Sequence, residues 1–209
     1  PEATSLARAA GFNKVVVNAF FYVYEKIVKE NALTPDRIFN ADETSHTVVQ
    51  KPQKVIAQKG KHQVGAITSC ERGQNVTGMY AMSATGIYVP PMLIFARKRM
   101  NDSLTFGAPP GTIFKCQDKG WMDIDGFYHW LQHFIRHVKP SKDKKVLLIL
   151  DGHSSHTQSM KAIELARNCG VIMLSLPAHC THRMQPLDVA FFKPLNTYFS
   201  SAITSRLHK

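Results

Sequence analysis

Three aspartates, Asp42, Asp151 and Asp188, stand at positions from which side chains commonly do chemistry. Asp42 follows Arg37-Ile38-Phe39-Asn40-Ala41, which reads as a short strand that the acid ends. Asp151 closes the apolar run Val146–Leu150, and Asp188 falls in the first turn of a helix opened by Pro186. In open α/β sheets functional groups gather where strands end and loops begin. If the first strand and Val146–Leu150 are neighbours, Asp42 and Asp151 lie side by side, and the last helix delivers Asp188 to the same edge. Three such carboxylates repel one another by several kcal/mol in a low-dielectric site unless a cation intervenes. Two divalent ions roughly 3.5–4 Å apart resolve that repulsion, activate water and stabilise a leaving oxygen in phosphoryl transfer. On this reading the Asp42 and Asp151 carboxylates lie roughly 4–8 Å apart. Magnesium suits them, because it takes one or two carboxylates plus substrate phosphates and retained waters. Singly, each acid has a plainer account as a strand end, an Asp-Gly turn or a partner for a helix dipole. Their joint placement points to chemistry.

The elements that must position these acids are legible in outline. Val16, Phe20, Val23 and Ile27 recur at helical spacing, with Asn13 as cap and Asn31 and Pro35 as terminators. Val64–Cys70 and Val76–Met82 flank the turn Glu71-Arg72-Gly73-Gln74 and read as a hairpin. Ile87–Val89 and Met92–Phe95 extend it into an antiparallel meander, whose Pro90-Pro91 belongs at an edge or a bulge. After a Gly- and Pro-rich loop, Phe127, Trp130, Leu131, Phe134, Ile135 and Val138 mark a helix capped by Asp123 and stopped by Pro140. Val146–Leu150, a helix over Gln158–Asn168 closed by Gly170, and Val171–Leu176 make a parallel βαβ unit. A final helix runs from Pro186 to about Ser205, anchored by Val189, Phe192, Leu195 and Phe199. The class is α/β, a mixed sheet of antiparallel meander and parallel strands flanked by helices.

Composition narrows the function. At 209 residues, 44% hydrophobic and 20% charged, the chain supports a packed core and excludes disordered and collagen-like classes. No apolar run approaches the roughly 20 residues of a membrane helix, so no membrane partner is expected. Cys70, Cys116, Cys169 and Cys180 form no C-x-x-C pair, which reads as a reducing interior, cytosol or nucleus. Twenty-six Lys and Arg against 15 Asp and Glu leave a net charge of +11, which attracts polyanions, nucleic acid above all. Arg97-Lys98-Arg99, Lys51 and Lys54 with Lys59 and Lys61, Lys142 with Lys144-Lys145, and Arg183 are the candidate phosphate contacts, expected to line a track past the acids. Beside the second acid, His153 and His156 are candidates to orient a carboxylate or contact phosphate. Glu43 should point away from Asp42 on a strand. His179, Cys180 and His182 are too crowded for a tetrahedral zinc site and suit a strand-to-helix loop near DNA. Trp121, Trp130 and the Phe127 stripe read as core in preference to base-stacking residues.

Phe39-Asn40-Ala41-Asp42-Glu43-Thr44, Leu148-Ile149-Leu150-Asp151-Gly152-His153-Ser154-Ser155-His156 and Leu176-Pro177-Ala178-His179-Cys180-Thr181-His182-Arg183-Met184-Gln185-Pro186-Leu187-Asp188-Val189 resemble, in order, the three signature blocks of the DDE superfamily endonuclease domain. The resemblance is to the pogo/Tigger/jerky-like transposases, relatives of Tc1/mariner, over about residues 36–200. It implies a ribonuclease-H-like fold and a metal-dependent DNA endonuclease that cuts and transfers strands with Mg2+ or Mn2+. The three catalytic, metal-holding acids then fall on Asp42, Asp151 and Asp188. The chain opens on Pro1 without an initiator methionine and reads as a fragment. Residues 1–35 would form a helical leader joining an absent N-terminal DNA-binding region, and residues 36–209 the catalytic domain. The implied partners are transposon-end and target DNA and further copies of the chain, as a homodimer or higher oligomer, in the nucleus. Another class remains open: a host-adopted, transposase-derived protein that binds DNA or chromatin without turnover. A ribonuclease acting on RNA–DNA hybrids shares the fold logic, but the length of the motif blocks argues against it.

Overall fold

Alternation along two strands decides what each face of the molecule buries. The structure is a computed structural model that describes residues 11–47, 75–153 and 158–207. Its six strands are β1 (Ile38–Thr47), β2 (Asn75–Ser83), β3 (Tyr88–Ala96), β4 (Ile113–Gln117), β5 (Val146–Leu150) and β6 (Val171–Ser175). They form one mixed sheet in the order β4-β3-β2-β1-β5-β6. β1, β2 and β3 are successively antiparallel, while β5 lies parallel to β1, β6 parallel to β5, and β4 parallel to β3. In β5, Val146, Leu148 and Leu150 enter one apolar core with Phe39 and Ala41, whereas Leu147 and Ile149 enter a second with Ile38. That is the period-2 pattern of a strand covered on both sides.

Helices cover both faces. Beneath the first core lie α2 (Ile124–Val138), through the fully buried Phe127, Trp130, Leu131 and Phe134, and α3 (Met160–Cys169), through Ala162 and Ala166. Asp123 caps α2 as expected, its carboxylate accepting the Gly126 N–H at 2.6 Å. Gly170 ends α3 in the left-handed region at φ 80°, and a Cβ there would stand 2.1 Å from the Ser141 carbonyl oxygen. On the opposite face lies α1 (Lys14–Glu30), capped by Asn13 and packed on β5 and Leu176 through Phe20, Tyr24, Ile27 and Val28. Val23, expected in that stripe, is exposed, because the buried face follows Phe20, Tyr24 and Ile27. The chain closes with α4 (Thr181–Met184), a π-helical turn at Leu187–Phe191, and α5 (Phe192–Leu207).

Two expectations change in three dimensions, and a third is narrowed to one of its alternatives. Residues 113–117, read as loop, form β4; a run of five half-buried residues, Ile-Phe-Lys-Cys-Gln, carries little periodic signal. Pro90 and Pro91 lie inside β3, at the register shift against Met79–Ala81 of β2, so the proline pair marks a bulge and not an edge. The π turn re-phases the last helix, since the Phe192 N–H reaches back to the Leu187 carbonyl. Leu187 and Phe192 are therefore buried, and Val189, expected as an anchor, is exposed. The expected hairpin arm Val64–Cys70 and its turn at 71–74 lie outside the described residues.

α5 is held over the sheet by a polar contact as well. The His46 Nδ1 lies 3.0 Å from Asn196 Oδ1 and its Nε2 lies 2.7 Å from the Tyr80 hydroxyl. The ring also packs against Phe199, at 5.1 Å between centroids. Burial lowers the pKa of His46 and raises that of Tyr80 to about 12, which keeps both neutral. A histidine with a lowered folded pKa contributes stability that is present above its unfolded value near 6.5 and is lost as pH falls through the folded value. His46 should therefore add a downward slope to the wild type's stability against denaturant below about pH 6.5, superposed on the opposite contribution of the buried carboxyls. His46→Gln should flatten that slope relative to wild type, and an identical slope in the variant would refute the assignment.

Candidate active site

The parallel pairing of β1 with β5 runs to Asn40↔Ile149, and two residues beyond each lie Asp42 and Asp151. Shared parity sends both side chains toward the face covered by α1 and α5. Asp42 does not end its strand: β1 continues to Thr47 against β2, with Asp42 opposite Tyr80. β5 instead stops at Leu150, which opens a gap beside Asp42 at the carboxyl edge of the sheet. Asp188 enters from the π turn, and the three acids border one cleft of about 330 Å³.

A buried amide ties together the segments that carry them. Asn40 Nδ2 donates to the Ile149 carbonyl at 3.1 Å and to Gln185 Oε1 at 2.6 Å, while its Oδ1 accepts the Leu187 N–H at 3.1 Å. Gln185, fully buried, donates from Nε2 to the Ala41 carbonyl at 3.4 Å. One side chain thus fixes β1 two residues before Asp42, β5 two residues before Asp151, and the turn one residue before Asp188. Neither Asn40 nor Gln185 was singled out in the sequence, although both lie inside the quoted motif blocks. A buried primary amide has a recognisable signal only once its partners are known.

The electrostatics show that the acids sense one another. Burial first, then the charges of Asp188 and Glu43, push the Asp42 carboxyl up to about 7, although the Glu43 N–H and the Gln185 amide hydrogen-bond to it. Burial, and then Asp151, raise Asp188. The Asp151 carboxylate accepts the His153 N–H at 3.2 Å, so His153 meets the second acid through its backbone and borders the cleft with its side chain. Glu43 has opposite strand parity to Asp42, as expected, yet borders the same cleft, which wraps around the sheet edge. Trp121, expected in the core, is 63% exposed on the cleft's rim, whereas Trp130 and Phe127 are fully buried.

The basic residues divide by sheet edge. Arg97, Lys98 and Arg99 follow the end of β3, and strand register puts them at the carboxyl edge with the acids. Lys144 and Lys145 precede β5 at the opposite edge, where their carbonyls accept from Arg37 and the Lys145 ammonium donates to Asn31. That cluster does not belong to the expected track. Arg183 lies over the Phe12 ring at 5.9 Å, beside the residues that precede α1. Cys180 and His182 pack there too, against Gly11 and Phe12, so the crowded His-Cys-His segment meets the chain just before α1. His156, Lys51 and Lys54 lie outside the described residues.

Residues 74–208 match the family model described as DDE superfamily endonuclease. The chain belongs to the DDE superfamily endonuclease family. The matched segment contains Asp151 and Asp188, and Asp42 precedes it. A protein of Cochliobolus lunatus called MFS-type transporter clz9 is 31% identical over 64% of this chain and 15% of its own length. The human protein called Pogo transposable element with KRAB domain is 28% identical over 75% of this chain and 25% of its own. The chain thus spans a quarter or less of these relatives. The fold is that of Mos1 transposase in its paired-end complex with left transposon end, at TM-score 0.61 and 13% identity, over 95% of this chain and 51% of that one. The Mos1 mariner paired end complex with Mn gives 0.58 at 13% identity, over 95% of this chain and 53% of that one. The ribonuclease-H-like expectation is thereby met. Among the described residues no helix is long and apolar enough to cross a membrane.

Among the described residues, no three His, Cys, Asp or Glu side chains already converge closely enough to hold a metal ion. The donor chemistry nonetheless suits one. The three acids at the cleft offer only oxygen, the choice of hard cations such as Mg2+ and Mn2+, and burial together with neighbouring carboxylates raises the proton affinity of two of them, Asp42 and Asp188.

Asn40→Leu removes the shared partner of Ile149, Gln185 and Leu187, leaving buried polar groups unpaired at a cost of about 1–3 kcal/mol each. Urea unfolding should show a loss of at least ~2 kcal/mol. A loss below ~0.5 kcal/mol would mean that the amide merely occupies the site.

Proposed function

We propose that this chain carries the catalytic domain of a transposase, which cleaves DNA strands and transfers them with a divalent cation. The observation that carries the reading is the meeting of Asp42, Asp151 and Asp188 at one cleft in a member of the DDE superfamily endonuclease family. In this reading residues 36–209 are the catalytic unit and residues 1–35 a leader. The three carboxylates hold Mg2+ or Mn2+; when bound, the cation activates water and stabilises the leaving oxygen. Asp42 and Asp188 supply the charge, the His153 N–H orients Asp151, and the Asn40 amide keeps the three segments from drifting apart. Arg97, Lys98 and Arg99 neutralise phosphates along the same edge, with binding that weakens steeply in salt. DNA ends and target DNA as partners, an oligomeric active complex and a nuclear location belong to the same proposal. The DNA in the Mos1 neighbour supports the first of these.

Two measurements test it. In Mg2+ or Mn2+ at low salt, Asp42→Asn, Asp151→Asn and Asp188→Asn should each lower DNA strand cleavage by roughly 100-fold or more, with cation-free duplex binding retained. Near-normal cleavage by any one variant would return that acid to a structural role. DNA binding with no cleavage by the wild type would favour a host-adopted binder.

The second measurement is thermal. The folded pKa of Asp42 is raised from 3.8 to about 7, so its contribution to stability is full below the unfolded value and is lost as pH rises through 7. Without divalent cations at pH 8, Asp42→Asn should melt higher than wild type by roughly 5 °C, equivalent to ~2 kcal/mol. At pH 5 the difference should shrink, and Mn2+ should raise the Tm of wild type far more than that of the variant. A Tm of wild type indifferent to Mn2+ would contradict cation binding at this cleft.

A further inference from the structure

Trp121 is a large aromatic residue left 63% exposed beside a set of carboxylates, and the loop around it is built to keep it there. Gln117, the last residue of β4, accepts the Lys119 N–H at 2.7 Å and the Trp121 N–H at 3.3 Å through its side-chain oxygen. The Gly120 carbonyl is fixed by the Thr77 hydroxyl at 2.7 Å, and Gly120 itself takes φ 70° to make the turn. On the other side Met122 is buried in the core and Asp123 caps α2. The backbone is pinned before and after the indole, yet the ring has not been folded inward, as a tryptophan of a packed core would be.

We infer that Trp121 is a stacking platform for an unpaired nucleobase whose strand lies across the acidic cleft. The inference rests on the reading of the cleft as a DNA-cleaving site and adds to it the state of the bound strand. A ring on the wall of a carboxylate cleft is matched by a flat, uncharged group whose attached phosphate is held by the acids through a cation. A nucleotide combines both. Stacking on an aromatic side chain is tolerant of sequence, because every base has a π-face. Inside a duplex those faces are already covered by neighbouring bases, so the ring can accept only a base at a frayed end or one turned out of the helix. Trp121 is thus a binding residue that selects opened DNA over closed duplex.

The chain has two tryptophans, and Trp130 is fully buried, so the solvent-exposed indole signal belongs to Trp121. The test titrates the protein, in Mg2+ at constant salt, with two probes: a blunt duplex, and the same duplex ending in three unpaired nucleotides. The overhang should quench the exposed emission more strongly than the blunt end. Trp121→Ala should lose affinity for the overhang by about tenfold, ~1.4 kcal/mol, with blunt-duplex affinity little changed. Trp121→Phe should recover most of the loss, and Trp121→Leu should not. Equal overhang affinity in Trp121→Ala and wild type, or recovery by Leu as complete as by Phe, would overturn the stacking role. If the wild type then still cleaves DNA with its three aspartates required, only this inference falls. A wild type that neither binds duplex in a salt-dependent way nor cleaves it overturns the parent reading and this one together.

Discussion

Everything at the cleft depends on one buried side chain, the amide of Asn40. Its nitrogen reaches a carbonyl of β5 and the amide of Gln185, and its oxygen takes a backbone N–H of the turn that carries Asp188. Regular sheet pairing cannot perform this task, because the ladder between β1 and β5 ends before the acids and the third acid lies on no strand at all. A hydroxyl is too short and a carboxylate has no donor. A primary amide has two donor hydrogens and an acceptor on one rigid plane, enough to join three segments. Because the group is buried, each of these bonds is costly to leave unmade, and this makes the junction stiff.

That stiffness is spent on an arrangement that electrostatics opposes. Asp42 is held largely out of water, with Asp188 and Glu43 near enough to raise its proton affinity and Asp151 raising that of Asp188. Such a cluster gains nothing for the fold in the absence of positive charge. The large apolar cores on both faces of the sheet, together with the His46 and Tyr80 contacts that seat α5, offset its cost. The strain is localised at the carboxyl edge, the place where a polyanion and its counter-cations would relieve it.

The cleft also has two unlike walls. One is the π turn and the face covered by α1 and α5, which delivers Asp188. The other is the β4–α2 loop, which presents Trp121 and lies beside Glu43 and Thr77. Arg97, Lys98 and Arg99 leave the sheet at the same edge, whereas Lys144 and Lys145 belong to the far edge and bind the end of α1 and the chain around Arg37. Among the described residues these basic clusters thus do not form one continuous surface; they are partitioned by the direction of the strands.

Much of this was legible in the chain itself. The apolar run of β5, the periodicity of α2 with its Asp123 cap, the Gly170 stop and the three motif blocks each rest on interactions between residues close in sequence, so order and spacing suffice to read them. The class of fold and the family followed from those. Tertiary structure alone decided the rest. β4 is a strand because β3 lies beside it, and its five half-buried residues show no period of their own. Val189 faces solvent because the π turn shifts the helical phase by part of a turn, a consequence of where Leu187 and Phe192 find apolar cover. Trp121 is exposed, against the ordinary behaviour of its residue type, because the bonds that fix its backbone come from Gln117 and from distant Thr77. Asn40 and Gln185, 145 residues apart, become a single device only when β1, β5 and the final turn meet. Local periodicity records which face a residue should take, but the pairing of buried polar groups is a property of partners, and distant partners are brought together only by the folded chain.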